Sequence, residues 1–76
     1  MNGLEIELGG ERGSRLATVA VQGLTDGRPV MVDVGVVVED PRTGEWEVRA
    51  LEGGNTFCDG LRFADFLTAV ECVAKG

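Results

Sequence analysis

Valine occupies every second position from Val30 to Val38, and this alternation constrains the fold more than any other feature of the chain. Successive side chains of a β-strand point to opposite faces of a sheet, so a period of two predicts a strand with one apolar face. Val37 interrupts the alternation, and Asp33 has the same parity as Val37. We therefore expect the even-numbered valines to face the core and the opposite face to be available for another purpose.

The dipeptide Asp26–Gly27 precedes this strand and is a strong β-hairpin signal, because the tight turn requires residues that tolerate positive φ angles. A two-residue loop at this point pairs Thr25 with Arg28. Continuing the same register predicts three further cross-strand pairs, which are Val21 with Val32, Val19 with Val34 and Ala17 with Val36. The turn and the hydrophobic pattern therefore agree on one register.

The remaining segments also have clear periodicities. Alternation in the sequence LEIEL predicts a strand with Glu5 and Glu7 on its polar face. Near the C-terminus, apolar residues recur at three- and four-residue steps, which predicts an amphipathic helix with Asp59 as its N-cap. The predicted elements are strands near 4–8, 15–25, 29–39 and 45–51 and a helix near 60–74.

These elements predict an α+β fold in which a four-stranded antiparallel β-meander precedes one C-terminal α-helix packed on one face, in the order ββββα. The 76 residues, 1–76, form a single domain near the lower size limit for independent folding. Val34 and Phe66 lie at the centre of the apolar row and of the helix stripe, so we expect both to be buried. One helix covers one face of the sheet, and the opposite face is called the open face below.

The open face is predicted to mix acidic and apolar side chains. Leu16, Met31, Val37 and Leu51 would lie there among several carboxylates. Two interpretations are open. The face is an ordinary solvated sheet surface, or it is a contact surface for a second copy of the chain or for a partner protein.

The chain carries 13 acidic and 7 basic residues, for a formal net charge of −6. Phosphate contacts need a cationic surface, so this charge argues against direct binding to nucleic acid. The excess of acids has two interpretations, which are solubility and attraction to a basic partner such as a nucleic-acid-binding protein.

The two cysteines, Cys58 and Cys72, are expected to be reduced. A helix from residue 60 onward would separate them by about 20 Å along its axis at about 1.5 Å per residue, whereas a disulfide needs Cα atoms within about 7 Å. Free thiols favour a cytoplasmic location. The sequence also has no basic n-region and no long apolar run, so we expect neither a signal peptide nor a membrane segment.

The residues that most often carry catalysis are missing from the sequence. It contains no histidine, and two cysteines are too few for a zinc site. The glycine-rich segment GGERGS lacks the lysine of a phosphate-binding loop. We therefore expect no enzyme, no catalytic, cofactor-binding or metal site, and no cofactor.

In its size, its acidity, its single-layer sheet with one helix and its lack of catalytic residues, the chain resembles anti-CRISPR proteins, the small inhibitors encoded by phages and mobile elements. The residues behind this likeness are the acids Glu5, Glu7, Asp33, Glu39, Asp40, Glu45, Glu47 and Glu52. The resemblance implies a stoichiometric inhibitor that binds a subunit of a CRISPR surveillance complex and blocks target DNA recognition. It also implies a location in the cytoplasm of an infected bacterial host.

The predicted partner-binding residues are the acids of the open face and of the adjoining turn, which are Glu5, Glu7, Asp33, Glu39, Asp40, Glu45 and Glu47. Of these, four are expected on the two edge strands of the meander, near 4–8 and 45–51: Glu5, Glu7, Glu45 and Glu47. Three hypotheses follow. The chain is an inhibitory binding protein with a basic partner, a structural or adaptor module acting as a monomer or as a homodimer through the open face, or, least favoured, an enzyme.

Overall fold

The computed structural model describes residues 3–75, so Met1, Asn2 and Gly76 of the predicted single domain lie outside the described residues. It contains a five-stranded antiparallel sheet in the order β1-β2-β3-β4-β5 and a C-terminal helix, which confirms the α+β fold class and adds one strand to the predicted four. The elements are β1 Leu4–Gly9, β2 Leu16–Thr25, β3 Arg28–Glu39, β4 Trp46–Ala50, a 3₁₀ turn Thr56–Cys58, β5 Arg62–Phe63 and α1 Phe66–Ala74.

The hairpin of β2 and β3 turns at the predicted dipeptide. Asp26 and Gly27 both have positive φ angles, 52° and 75°, as a tight two-residue turn requires. Thr25 pairs with Arg28, and Val21 pairs with Val32, so the predicted register is confirmed near the turn.

The register changes by one residue between Val19 and Ala20, where β3 contains a β-bulge. Ala20 pairs with Asp33 and Val19 pairs with Gly35, so Val34 has no directly opposite residue on β2. Beyond the bulge, Ala17 therefore pairs with Val37. The predicted pairs of Val19 with Val34 and of Ala17 with Val36 are wrong for this reason.

The bulge also changes which valines face the core, because it reverses the parity of the strand. Val34 and Val37 are buried, whereas Val36 and Val38 are only half-buried. Val32 is 39% exposed, since the strand continues beyond the part of the sheet that the helix covers. The prediction that all the even-numbered valines form the core is therefore wrong, although the buried position of Val34 is confirmed.

The helix begins at Phe66 rather than near residue 60, because Arg62 pairs with Glu47 as part of β5. Its N-cap is Asp65, whose side chain accepts hydrogen bonds from the backbone N–H and the hydroxyl of Thr68 at 3.0 and 2.9 Å. The predicted cap, Asp59, instead accepts from the backbone N–H of Ala50 at 2.9 Å.

The helix packs one side against the middle of the sheet. Ala69, Val70 and Val73 are fully buried there. Phe66 is half-buried rather than buried, and its ring packs on that of Trp46 with 4.7 Å between the ring centroids. None of the described helices is long and apolar enough to cross a membrane.

Cys58 and Cys72 form a disulfide, with 6.1 Å between their Cα atoms. The prediction of two free thiols is wrong, because Cys58 lies in the 3₁₀ turn and the chain reverses through β5 before the helix begins. Asn55 reinforces this link, since its backbone N–H and side-chain amide donate to the carbonyls of Val73 and Cys72, each at 3.2 Å. Because the thiols are not free, they no longer support a location in a reducing compartment.

Reduction of the disulfide should lower the free energy of unfolding. The bridge joins residues 14 apart in sequence, and closing a loop of that size stabilises a fold by about 3 kcal/mol. Denaturant titration with and without reductant measures this difference. The double variant Cys58→Ala, Cys72→Ala is the control, because reductant should not change its unfolding. Equal midpoints for the oxidised and reduced chains would contradict the expectation.

Gly35→Ala should destabilise the fold, because a Cβ at this position would overlap Cγ2 of Val73 and lie 3.1 Å from the carbonyl oxygen of Arg49. Overpacking of this kind costs about 1–3 kcal/mol. Gly9→Ala is the matched control on the same sheet, since a Cβ there would meet nothing within 4 Å. Thermal unfolding of both variants tests the difference, and equal midpoints would mean that the helix does not pack on Gly35.

Candidate functional site

Three of the predicted partner-binding acids lie together on the open face. Glu5 pairs across the sheet with Ala20, and Ala20 pairs with Asp33, so the two carboxylates flank one small side chain. Two interstrand spacings separate them by about 10 Å, and Glu7 follows Glu5 on the same face at about 7 Å. Glu5, Glu7 and Asp33 are all exposed, and they are called the acidic cluster below.

The acidic cluster forms no ion pair with the other described residues. Within residues 3–75, no lysine or arginine nitrogen lies within 4.0 Å of any of its carboxylates. Among the described residues, the cluster therefore gathers three carboxylates without an ion-pair partner on one face, which favours the approach of a cationic partner.

Three other predicted acids, Asp40, Glu45 and Glu47, surround Arg62. The guanidinium donates to Asp40 at 2.7 Å and to Glu47 at 3.1 Å, and it lies 3.8 Å from Glu45. Arg49 lies 3.5 Å from Glu47, and Arg42 lies 3.9 Å from Asp40. These six residues, called the Arg62 cluster below, contain three acids and three bases and are together neutral.

The Arg62 cluster stabilises the charged form of Asp40. The hydrogen bond from Arg62 is the main cause that lowers the pKa of Asp40, and a backbone hydrogen bond from Arg42 adds to it. The same bond raises the pKa of Arg62. Because these acids already have partners within the chain, they contribute little to the attraction of an external cation. The prediction that Glu45 and Glu47 lie on an edge strand is wrong, because Glu45 precedes β4 and β5 borders β4.

Glu39, the seventh predicted acid, is not on the open face. It is the last residue of β3, and the bulge turns its side chain to the helix side of the sheet, where it is 9% exposed. Its carboxylate accepts from the backbone N–H groups of Gly13 and Arg15 at 2.9 and 3.2 Å and from the Arg15 guanidinium at 3.0 and 3.1 Å. This carboxylate is therefore a structural acceptor rather than part of an exposed acidic surface.

The partners of Glu39 extend its network into the core. The Arg15 guanidinium lies 5.3 Å from the centroid of the Trp46 ring, and Trp46 contacts Phe66 at the start of the helix. The hydrogen bond from Arg15 is the largest cause that lowers the pKa of Glu39 from 4.5 to about 2. One ion pair thus connects the loop before β2, the end of β3 and the helix.

Apolar side chains lie between the acids of the open face. Leu16 and Met31 are 45% and 43% exposed, and Leu51 is 42% exposed at the end of β4. Val36 and Val38 are half-buried on the same face. None of the described elements covers these side chains, so the face offers both charge and apolar area.

Two cavities of the described structure lie on the helix side and at the helix end. The first, about 320 Å³, is lined by Leu8, Arg15, Trp46, Ala64, Asp65 and Phe66. Its charged groups are already engaged, since Arg15 binds Glu39 and Asp65 caps the helix. The second, about 380 Å³, is lined by Asn55, Phe63, Thr68, Glu71, Cys72 and Lys75. Among residues 3–75, no three His, Cys, Asp or Glu side chains come together as metal ligands.

Glu5, Glu7 and Asp33 lie on the predicted face of the sheet. The two arginines that engage the other acids were not predicted. Arg62 falls within the helix predicted near 60–74, although it lies on β5. The position of Arg15 in the sequence offered a way to predict its ion pair with Glu39. In the register set by the hairpin turn it lies opposite Val38, whereas a shift of one residue places it opposite Glu39. Gly35 within the valine run was a second indication of a bulge.

Comparisons with protein-family models, with curated proteins and with solved structures find no match to this chain. Function is therefore inferred from the residues and their geometry.

The stability that Glu39 contributes should depend on pH. Its pKa is lowered from 4.5 to about 2 in the folded chain, so the contribution is complete above pH 4.5 and is lost as the pH falls toward 2. Glu39→Gln should therefore destabilise the fold at neutral pH by an amount that shrinks over this interval.

Urea titrations of the parent chain and of Glu39→Gln at several pH values measure that difference. Glu11→Gln is the control, because it changes an exposed carboxylate in the loop before β2. A gap between the parent and Glu39→Gln that stays constant through the acid range would show that the ion pair with Arg15 does not form.

Proposed function

We propose that this chain is a non-enzymatic binding protein whose open face contacts a cationic surface on a partner protein. The observation that carries the proposal is the acidic cluster, whose three carboxylates share one exposed face and have no cation within 4.0 Å among residues 3–75. Apolar side chains beside the cluster supply area that can be desolvated in a complex.

The distribution of charge indicates which part of the open face would contact a basic partner, and this part is the footprint of that partner. The Arg62 cluster is neutral, so the attraction for a basic partner is concentrated at Glu5, Glu7 and Asp33. Such a field increases the rate of encounter with a partner of opposite charge, and salt weakens the effect. A few central residues generally dominate the affinity of an interface, and these three acids are the candidates here.

A partner that binds nucleic acid fits this footprint. The surface of such a partner carries arginine and lysine residues spaced to meet phosphates, and carboxylates about 7 Å apart along one strand face repeat on a similar scale. Occupation of that surface would block nucleic-acid binding. Inhibition of a CRISPR surveillance complex in the cytoplasm of a bacterial host is the specific form that the resemblance to anti-CRISPR proteins suggests, and it rests on that resemblance alone.

A second candidate is a structural or adaptor module that dimerises through the open face. The exposed Leu16 and Met31 favour it, because apolar side chains of this size are common at the centre of homodimer interfaces. A dimer that forms with increasing protein concentration in the absence of a partner would favour this alternative over a basic partner.

Reversal of the acidic cluster should weaken partner binding. The variant Glu5→Lys, Glu7→Lys should lower the affinity for a cationic partner by at least about tenfold at low salt, mainly through slower association, and by less at high salt. Purified CRISPR surveillance complexes are the first partners to test, by surface plasmon resonance and by competition with target DNA.

The matched control is Glu11→Lys, Glu52→Lys, which makes the same change in net charge at exposed loop positions outside the strands. Equal losses for the two double variants would show that only total charge matters. No binding to any surveillance complex would remove the CRISPR form of the proposal.

A further inference from the structure

We propose that the free edge of β1 binds an extended segment of the partner as a sixth, antiparallel strand, and that this segment alternates apolar and basic residues. The inference deepens the proposed function, on which it rests, because it specifies how a basic partner is recognised. It depends on three observations, which are the position of β1 in the sheet, the direction of its backbone groups and the arrangement of its side chains.

The strand order places β1 at one edge of the sheet and β5 at the other. β5 contains two residues, whereas β1 contains six, Leu4–Gly9. Short edge strands are poor templates for pairing, but a regular strand of six residues can accept another. β1 is therefore a free edge of the described sheet that is long enough to bind a peptide.

The register shows which backbone groups of β1 are free. The N–H of Gln22 donates to the carbonyl of Gly3 at 2.9 Å, so the bonds between β1 and β2 involve the odd-numbered residues of β1. The N–H and C=O groups of Leu4, Ile6 and Leu8 therefore point away from β2. Within the described residues, no other strand lies on that side.

The side chains of β1 define the partner's sequence pattern. Ile6 and Leu8 lie on the helix side of the sheet and are 38% and 50% exposed, and Leu8 borders the cavity of about 320 Å³. Glu5 and Glu7 lie on the open face. In an added strand, residues beside the isoleucine and leucine are favourable if apolar, and residues beside the two glutamates are favourable if basic.

A second copy of this chain is a poor occupant of the same edge. Antiparallel pairing of two β1 strands centred on Ile6 would place Glu5 of one copy directly opposite Glu7 of the other, twice in each dimer. Like charges that face each other across strands are destabilising. The charges on β1 therefore favour a basic segment over self-association.

The direct test uses short synthetic peptides in which valine and lysine alternate, in a length matched to β1. The valine–lysine peptide should bind at least about tenfold more tightly than a valine–glutamate peptide, by titration calorimetry at low salt. In amide exchange measured by NMR, the N–H groups of Leu4, Ile6 and Leu8 should gain protection when the lysine peptide is bound. Binding without such protection would overturn the strand addition.

Backbone methylation of the peptide tests the register without altering the protein. In an antiparallel complex the valines lie opposite Leu4, Ile6 and Leu8, and their N–H groups bond to β1. N-methylation of the valines should therefore lower the affinity at least about tenfold, whereas N-methylation of the lysines should be tolerated. The opposite result would overturn the antiparallel arrangement.

A variant of the protein completes the test. Ile6→Pro removes a donor that points away from β2, so the sheet should remain intact while peptide binding falls at least about tenfold. Ile6→Val is the control, because it keeps the donor and a branched apolar side chain. Unchanged peptide binding by a folded Ile6→Pro variant would overturn the proposal.

The strand-addition and open-face proposals fail in different ways. Partner binding that responds to Glu5→Lys, Glu7→Lys but not to Ile6→Pro supports the cationic contact and overturns the strand addition. Equal binding of the lysine and glutamate peptides, with protection of the three amides, overturns the selection for basic residues. A dimer of the parent chain at neutral pH, lost in Ile6→Pro, would assign the edge to a second copy and overturn the proposed occupant.

Discussion

The β-bulge in β3 is the constraint on which the rest of the structure depends. Before the bulge Asp33 pairs with Ala20 and points to the open face, and after it Val37 and Glu39 point to the helix side. Without the extra residue, Asp33 and Val37 would share a face, and burying one would bury the other. The bulge thus separates a charged face from a core face within a single twelve-residue strand.

The sequence predicted the fold wherever local signals were sufficient. The hairpin dipeptide sets the register near the turn, and the period of the apolar residues identifies the helix stripe. The prediction failed at the bulge, where the stabilising contacts come from distant parts of the chain. Val73 of the helix packs over Gly35, and Arg15 binds Glu39. The sequence of β3 alone does not reveal these contacts. The alternation of valines was therefore expected to continue past the position of the bulge.

The same distinction applies to the charged residues. Glu5, Glu7 and Asp33 reach the open face because strand alternation directs their side chains there. Whether a carboxylate is also available to a partner depends on a cation whose position the tertiary fold decides. Arg62 engages three acids because residues 62 and 63 form a short strand instead of the first turn of a helix. That short strand likewise reverses the chain between Cys58 and Cys72, so one misassigned segment accounts for both the missed ion pairs and the missed disulfide.

The structure concentrates its stabilising links at one end of the sheet and leaves the opposite part of the hairpin exposed. The disulfide, the contact of Trp46 with Phe66 and the ion pair of Arg15 with Glu39 all lie where the helix packs. Leu24, near the hairpin turn, is 76% exposed, and β1 keeps a free edge. Exposed strand edges invite aggregation unless charge prevents it, and the alternation of leucine, isoleucine and glutamate in β1 provides such charge on every second residue. Because the repulsion acts only between like charges, the same glutamates that oppose self-association do not oppose a basic strand. Protection of the edge and selection of a partner can therefore arise from one sequence pattern.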